Sequence, residues 1–143
     1  MSALRATYKA ALTFSATTQV SKFKFTAPTN QKVWVMFGIK MKGTGSGAYC
    51  PTELRRGTSG GTPNSAVTWV KQSGLDTETV QGTGQDYSVQ PSNNGSVVQA
   101  EVIKDDRYFT FKPQLVNGGE TLDLWMTPGS SAMTCDLVVD IEQ

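Results

Sequence analysis

The stretch VWVMFGIKMK, Val33 to Lys42, decides the fold class. Val33, Val35, Phe37, Ile39 and Met41 fall on one face of an extended chain, and Trp34, Met36, Gly38, Lys40 and Lys42 on the other. A period of two marks a strand, because successive strand side chains point to opposite faces. The first half is apolar on both faces. Even so, Val33 to Ile39 is far shorter than the roughly 20 residues a membrane span needs.

The same period recurs towards both ends of the chain. Leu4, Ala6, Tyr8, Ala10, Leu12 and Phe14 alternate with Arg5, Thr7, Lys9, Ala11 and Thr13. Val20, Phe23 and Phe25, with Lys22 and Lys24 between them, form another strand that Pro28-Thr29-Asn30 ends with turn residues. Near the end, Met133, Cys135, Leu137, Val139 and Ile141 face one way, and Thr134, Asp136, Val138, Asp140 and Glu142 the other. Shorter strand-like runs lie near residues 49–56, 66–72, 76–89, 96–103, 107–112 and 121–127. GTGSG, Gly43 to Gly47, breaks the chain, and Gly82 and Gly84 suggest a bulge or bend. Residues 96–107 have the length of a helix, but their valines and isoleucine favour a strand. The 14 glycines and 6 prolines fit many turns. The expectation is an all-β chain: one domain over residues 1–143, an antiparallel β-sandwich of eight to ten strands, jelly-roll-like because that arrangement closes two sheets without long free edges.

Net charge is +1, but its distribution is uneven. Residues 1–71 hold ten Lys and Arg against the single acid Glu53, and residues 72–143 hold three basic residues against eleven acids, so the halves carry +9 and −8. The charges are dispersed among apolar residues. They are either solvated strand faces, or basic and acidic strands that neighbour each other and so help to fix register. Cys50 and Cys135 lack CxxC spacing and are expected as buried free thiols.

The chain contains no histidine, which removes Ser-His-Asp and Cys-His nucleophile systems and the usual His-bearing zinc sites. Two placed carboxylates would suffice for glycoside hydrolysis, but Asp105-Asp106-Arg107 reads as a polar turn, and Glu101 and Asp123 as single charges on strand faces. The glycine stretches GTGSG, GTSGGTP and GTGQD lack the Gly-Lys-Ser/Thr ending of a phosphate loop. Lys22 and Lys24 alternate with Phe23 and Phe25 on opposite faces, which defeats a stacking platform for single-stranded nucleic acid. No enzyme activity, cofactor, metal, nucleic-acid partner or membrane is expected.

Apolar residues on the wrong side carry the functional reading. Trp34 and Met36 oppose the core set of their strand, and Trp125 opposes Leu122, Leu124 and Met126 beside Asp123. Either both faces of these strands are covered within the domain, or these side chains make a protein contact, where Trp is enriched among hot spots.

The segment PTELRRGTSGGTPNSAVTWVKQSGLDTETVQGT, Pro51 to Thr83, has an arginine-bearing strand, a Gly-Thr turn, a Thr and Lys strand and an acidic Glu-Thr-x-Gln-x-Thr stretch. Gly118-Gly119-Glu120 and the acid-ended strand Val138 to Glu142 follow. Over residues 33–142 this pattern resembles small tailed-phage head proteins. The resemblance implies a jelly-roll decoration or cement protein on the capsid exterior, made in the host cytoplasm. It would be homotrimeric and bound to the major capsid protein, with Arg55 and Arg56 available to acidic partners or lying at a solvated strand end. Trp34, Met36, Arg55, Arg56 and Trp125 are the interface candidates. Residues 4–14 are either an ordinary sandwich strand or a strand added to a neighbour. The alternative function is a tail-fibre or surface module that stacks Trp125 and Trp69 on a carbohydrate or grips a host receptor.

Overall fold

The alternating faces become the inner faces of two antiparallel sheets. The computed structural model describes residues 4–42, 49–75, 77–104 and 107–143. In these residues the strands are β1 (Arg5–Thr13), β2 (Val20–Thr26), β3 (Val33–Lys42), β4 (Tyr49–Arg56), β5 (Thr62–Pro63), β6 (Val70–Lys71), β7 (Thr83–Gln85), β8 (Tyr87–Val89), β9 (Ser96–Lys104), β10 (Tyr108–Thr110), β11 (Gln114–Val116), β12 (Thr121–Met126) and β13 (Thr134–Glu142). Sheet A runs β10-β3-β13-β1-β6, with β11 also on β3, and sheet B runs β7-β2-β12-β4-β9. The GTGSG break and Asp105-Asp106 lie outside the described residues.

The chain order shows the jelly-roll-like pattern. β10 and β11 share one side of β3, at Gly38–Lys40 and Val33–Val35, and are separated by a segment containing Pro113, which has no N–H to offer a ladder. Taken as one position, they give sheet A the order β1-β13-β3-β10/β11, opposite β2-β12-β4-β9 in sheet B. The sandwich expected from the sequence is therefore present with eight principal positions. β5 to β8, each two or three residues long, bring the strands to thirteen among the described residues.

One core fills the space between the sheets. Phe37, Ile39, Met41, Cys135, Leu137, Val139 and Ile141 of sheet A meet Phe23, Phe25, Leu54, Leu122, Leu124 and Met126 of sheet B. Phe23 and Phe37 meet edge to face across the gap, 5.9 Å between centroids. Cys50 and Cys135 are buried free thiols, as their spacing suggested. Burial pushes the Cys135 thiol up to about 12.

A bulge explains an irregularity in β2. Leu124 pairs with Phe23 and Trp125 with Ser21, so Lys22 is the extra residue. The three-residue step from Val20 to Phe23 in the sequence is its trace. Gly82 and Gly84 have a different reason to be glycine. A Cβ on Gly82 would lie 2.5 Å from the Phe25 ring, and one on Gly84 would lie 2.5 Å from the Phe23 ring and 2.9 Å from Val67. Close approach of core rings, rather than a bulge, fixes both positions.

The long connection between β4 and β9 wraps the sandwich. β6 pairs with β1 at Ala6 and Thr7, and β7 pairs with β2 at Lys24 to Thr26. Between them Trp69 packs edge-on against Tyr8, Phe23 and Phe25, with centroids 6.1 to 6.3 Å apart. Strand runs expected at 66–72 and 76–89 shrink to β6, β7 and β8 because this segment follows the surface it covers. Replacing Gly84 with Ala is expected to destabilise the fold by about 1–3 kcal/mol through overpacking against Phe23, Val67 and Trp69. Chemical denaturation of the variant against the parent measures this directly.

Candidate functional site

The two outer faces of the sandwich have opposite fates. On sheet B, Asp123 and Trp125 of β12 point away from the core, as their alternation with Leu122, Leu124 and Met126 requires. The connection between β4 and β9 then folds over them. Trp125 is 3% exposed, and its Nε1 donates to Thr58 Oγ1 at 3.4 Å. The Arg55 guanidinium lies 5.4 Å from its ring centroid. Trp125 is thus an internal anchor for its own connection, which corrects the expectation that it offers contact surface. Trp69, half-buried on the core, is likewise occupied.

Asp123 is fully buried in the same layer. Ser21 Oγ and Tyr87 Oη both donate to its Oδ2, at 2.9 and 2.8 Å. Oδ1 has no protein partner. Lys24 of β2 and Arg55 of β4 are its cross-strand neighbours. Loss of water pushes the carboxyl up to about 6, against the opposing pull of Tyr87, Ser21 and Lys24. Asp123 is therefore not a lone surface charge. Glu101 pairs with Thr52 and lies on the other face of sheet B, so the two acids do not converge.

The arginines that open the connection are engaged too. Arg55 pairs with Glu53 at 2.5 Å and reaches Gln19 and the Asn94 carbonyl. Arg56 bridges the sheets, pairing with Glu120 at 3.2 Å and donating to the Leu115 carbonyl at 2.8 Å. Both hold the fold together, so neither stands open to an acidic partner as the sequence reading allowed.

The outer face of sheet A has no such cover among the described residues. β13 lies between β1 and β3, which sets its acids among cations: Arg5 opposite Glu142, and Asp136 opposite Lys40. Arg5 pairs with Glu142 at 3.3 Å, Lys42 with Asp136 at 2.7 Å, and Thr7 Oγ1 donates to Asp140 at 2.5 Å. Part of the charge asymmetry of the two halves is thus met between neighbouring strands of one sheet. Within this frame lie Trp34, Met36, Val138 and Tyr108. Trp34 is 49% exposed and Tyr108 60%. The Tyr108 hydroxyl crosses Gly38, where a Cβ would sit 2.1 Å away.

Shallow grooves run across this face. One, about 280 Å³, is bounded by Trp34, Met36, Arg5, Asp140 and Glu142. A second, about 440 Å³, is bounded by Tyr108, Val138, Lys9, Lys40 and Asp136. Of the interface candidates, the structure brings Trp34 and Met36 together here and places Arg55, Arg56 and Trp125 elsewhere. Tyr108 and Val138 were missed by sequence reasoning. Val138 was visible as the apolar member of an otherwise polar face, whereas nothing local marked Tyr108. No group of three metal-ligating side chains occurs among the described residues. The chain matches no family model, and comparison with curated proteins and with solved structures gives no match.

Asp123 generates a prediction with a definite sign. Its carboxyl binds a proton more tightly in the folded chain, so its stabilising contribution is complete below about pH 4 and is lost as pH rises through about 6. Unfolding free energies from denaturant titrations between pH 4 and 8 are expected to fall by up to about 3 kcal/mol from this group and then level off. Asp123→Asn should flatten that fall, and an unchanged slope in the variant would contradict the assignment.

Proposed function

We propose that this chain is a structural, non-catalytic adhesive protein that seats the outer face of sheet A on a larger assembly, and that the assembly is the outside of a tailed-phage head. The observation that carries this reading is the contrast between the outer faces. Around Asp123 and Trp125 the outer face of sheet B is covered by the chain's own connection, while sheet A leaves Trp34 and Tyr108 exposed and Met36 half-buried beside the Arg5–Glu142 and Lys42–Asp136 surface ion pairs. An exposed apolar centre ringed by charge is the anatomy of a protein interface. Trp34 is its natural hot spot.

The resemblance of residues 33–142 to small head proteins favours the major capsid protein as the partner and a decoration or cement role. The mechanism is adhesion without chemistry. The ladders of β1, β3 and β13 hold the face rigid, so little ordering entropy opposes docking. Copies joined to one another turn later contacts into intramolecular ones, and avidity then exceeds the single affinity. The carbohydrate alternative is less favoured, since Trp125 is 3% exposed and Trp69 is half-buried against the core.

Purified protein should co-sediment with undecorated heads of its parent virus, saturably and at a simple ratio to the shell protein by densitometry. Trp34→Ala should weaken this binding by roughly 30-fold while leaving the fold intact. Arg55→Ala should act on stability rather than on binding. Failure of the parent protein to bind heads would sink the shell-binding reading.

A further inference from the structure

Sheet edges expose unpaired backbone donors and acceptors, and proteins cover or break them. Among the described residues, three of the four edges are partly covered or broken up. β6 lies on β1 at Ala6 and Thr7, β7 lies on β2, and the far edge of sheet A is cut into the three-residue pieces β10 and β11. The fourth edge is β9, nine residues long and paired only with β4 among the described residues.

β9 also lacks cover on its faces. Val97, Val98 and Val102 are 49%, 38% and 49% exposed, and Ala100 and Glu101 are exposed beside them. Ile103 is its one buried side chain. Gln99 clasps the backbone of Lys112 through both amide atoms, at 2.8 and 3.1 Å, tying the strand to the segment between β10 and β11. A nine-residue, valine-rich edge, interrupted only at the Val98 bulge, is a template for another strand.

We infer that β9 pairs antiparallel with β9 of a second copy of this chain, about a twofold axis at Ala100, fusing two copies of sheet B into one continuous sheet. The register follows from the sequence of the strand. A twofold axis normal to the sheet places opposite one another residues that share a face, so the axis passes through a residue. At Ala100, Val98 faces the partner's Val102, Ala100 faces the partner's Ala100, and Gln99 faces the partner's Glu101. These are an apolar pair, a small pair and an amide–carboxylate pair, with no like charges opposed. At Glu101 the axis would set two carboxylates against each other. Val98 is the extra residue of a bulge opposite Leu54 and Arg55, so the regular pairs run from Gln99 to Glu101 and the two Val98–Val102 contacts flank them at the bulge.

The contact is isologous and yields two copies, whereas a trimer requires two different patches. It does not depend on shell binding, since it uses the edge of sheet B and leaves the outer face of sheet A open.

Two measurements on the intact chain test it. Light scattering after size exclusion should give a dimer, and Ala100→Lys, which sets two ammonium groups across the axis beside each copy's own Glu53, should weaken dimerisation several-fold while the circular dichroism of the folded chain stays unchanged. Ala100→Cys should cross-link copies rapidly under mild oxidation, because directly opposed strand residues lie roughly 4.5–5.5 Å apart at Cα, within disulfide reach. Val70→Cys, exposed on sheet A, serves as the control, and the buried native thiols do not compete. A monomer or trimer by light scattering, or cross-linking at Ala100→Cys no faster than at Val70→Cys, would overturn the inference, whatever the outcome of sedimentation with heads.

Discussion

The pairing of β13 with both β1 and β3 is the constraint on which the rest of the structure depends. Each ladder runs through nine register pairs, and β13 alone joins the first strand of the chain to the third. Its inward row of Cys135, Leu137, Val139 and Ile141 shuts the core from the sheet A side. Its outward row must then take Asp136, Asp140 and Glu142, and these acids are tolerated because β1 and β3 bring Arg5, Lys40 and Lys42 beside them. A one-residue slip would turn both rows over, burying carboxylates and exposing Leu137 and Val139. Packing and charge therefore specify the same register.

The second organising feature is where the long β4 to β9 connection goes. It crosses to the outer face of sheet B, is pinned by Trp125 to Thr58 and by Asp123 to Tyr87, and returns along the β1 and β2 edges with Trp69 wedged between them. The covering layer has an energetic cost, a buried carboxyl with an unpartnered oxygen, which the fold offsets with two hydrogen bonds and the neighbouring Lys24 and Arg55. Because the connection covers sheet B around Trp125 and reaches sheet A only at β6, the outer face of sheet A and the β9 edge stay open among the described residues. The adhesive role we propose would follow from the routing of one loop, with no special chemistry in the residues left bare.

Most of the fold was legible in the sequence because the long strands carry complete period-two patterns. β3 and β13 read true along their whole length, and β4 and β9 were placed within a residue of their ends. β5, β6, β10 and β11 were poorly legible because two or three residues cannot display a period, and their pairing depends on a partner already in place. Of the candidate surface, Trp34 and Met36 were visible as apolar residues opposite a core face. Trp125 obeyed the same rule and proved buried, since local alternation gives the face a side chain occupies but not what later folds over it. Asp123 was misjudged for the same reason. Arg55 and Arg56 look free in sequence because their partners, apart from the near neighbour Glu53, lie between 36 and 64 residues away.

In the role proposed, the outer face of sheet A is the surface offered to the assembly, and the Trp residues of the covered layer are structural. Hydroxyl-radical footprinting of the free protein and of the protein on heads reads both statements at once. The account predicts strong oxidation of Trp34, Met36 and Tyr108 in the free protein, their protection on the particle, and little oxidation of Trp125 in either state. Trp34 and Tyr108 remaining as reactive on the particle as in solution would contradict it.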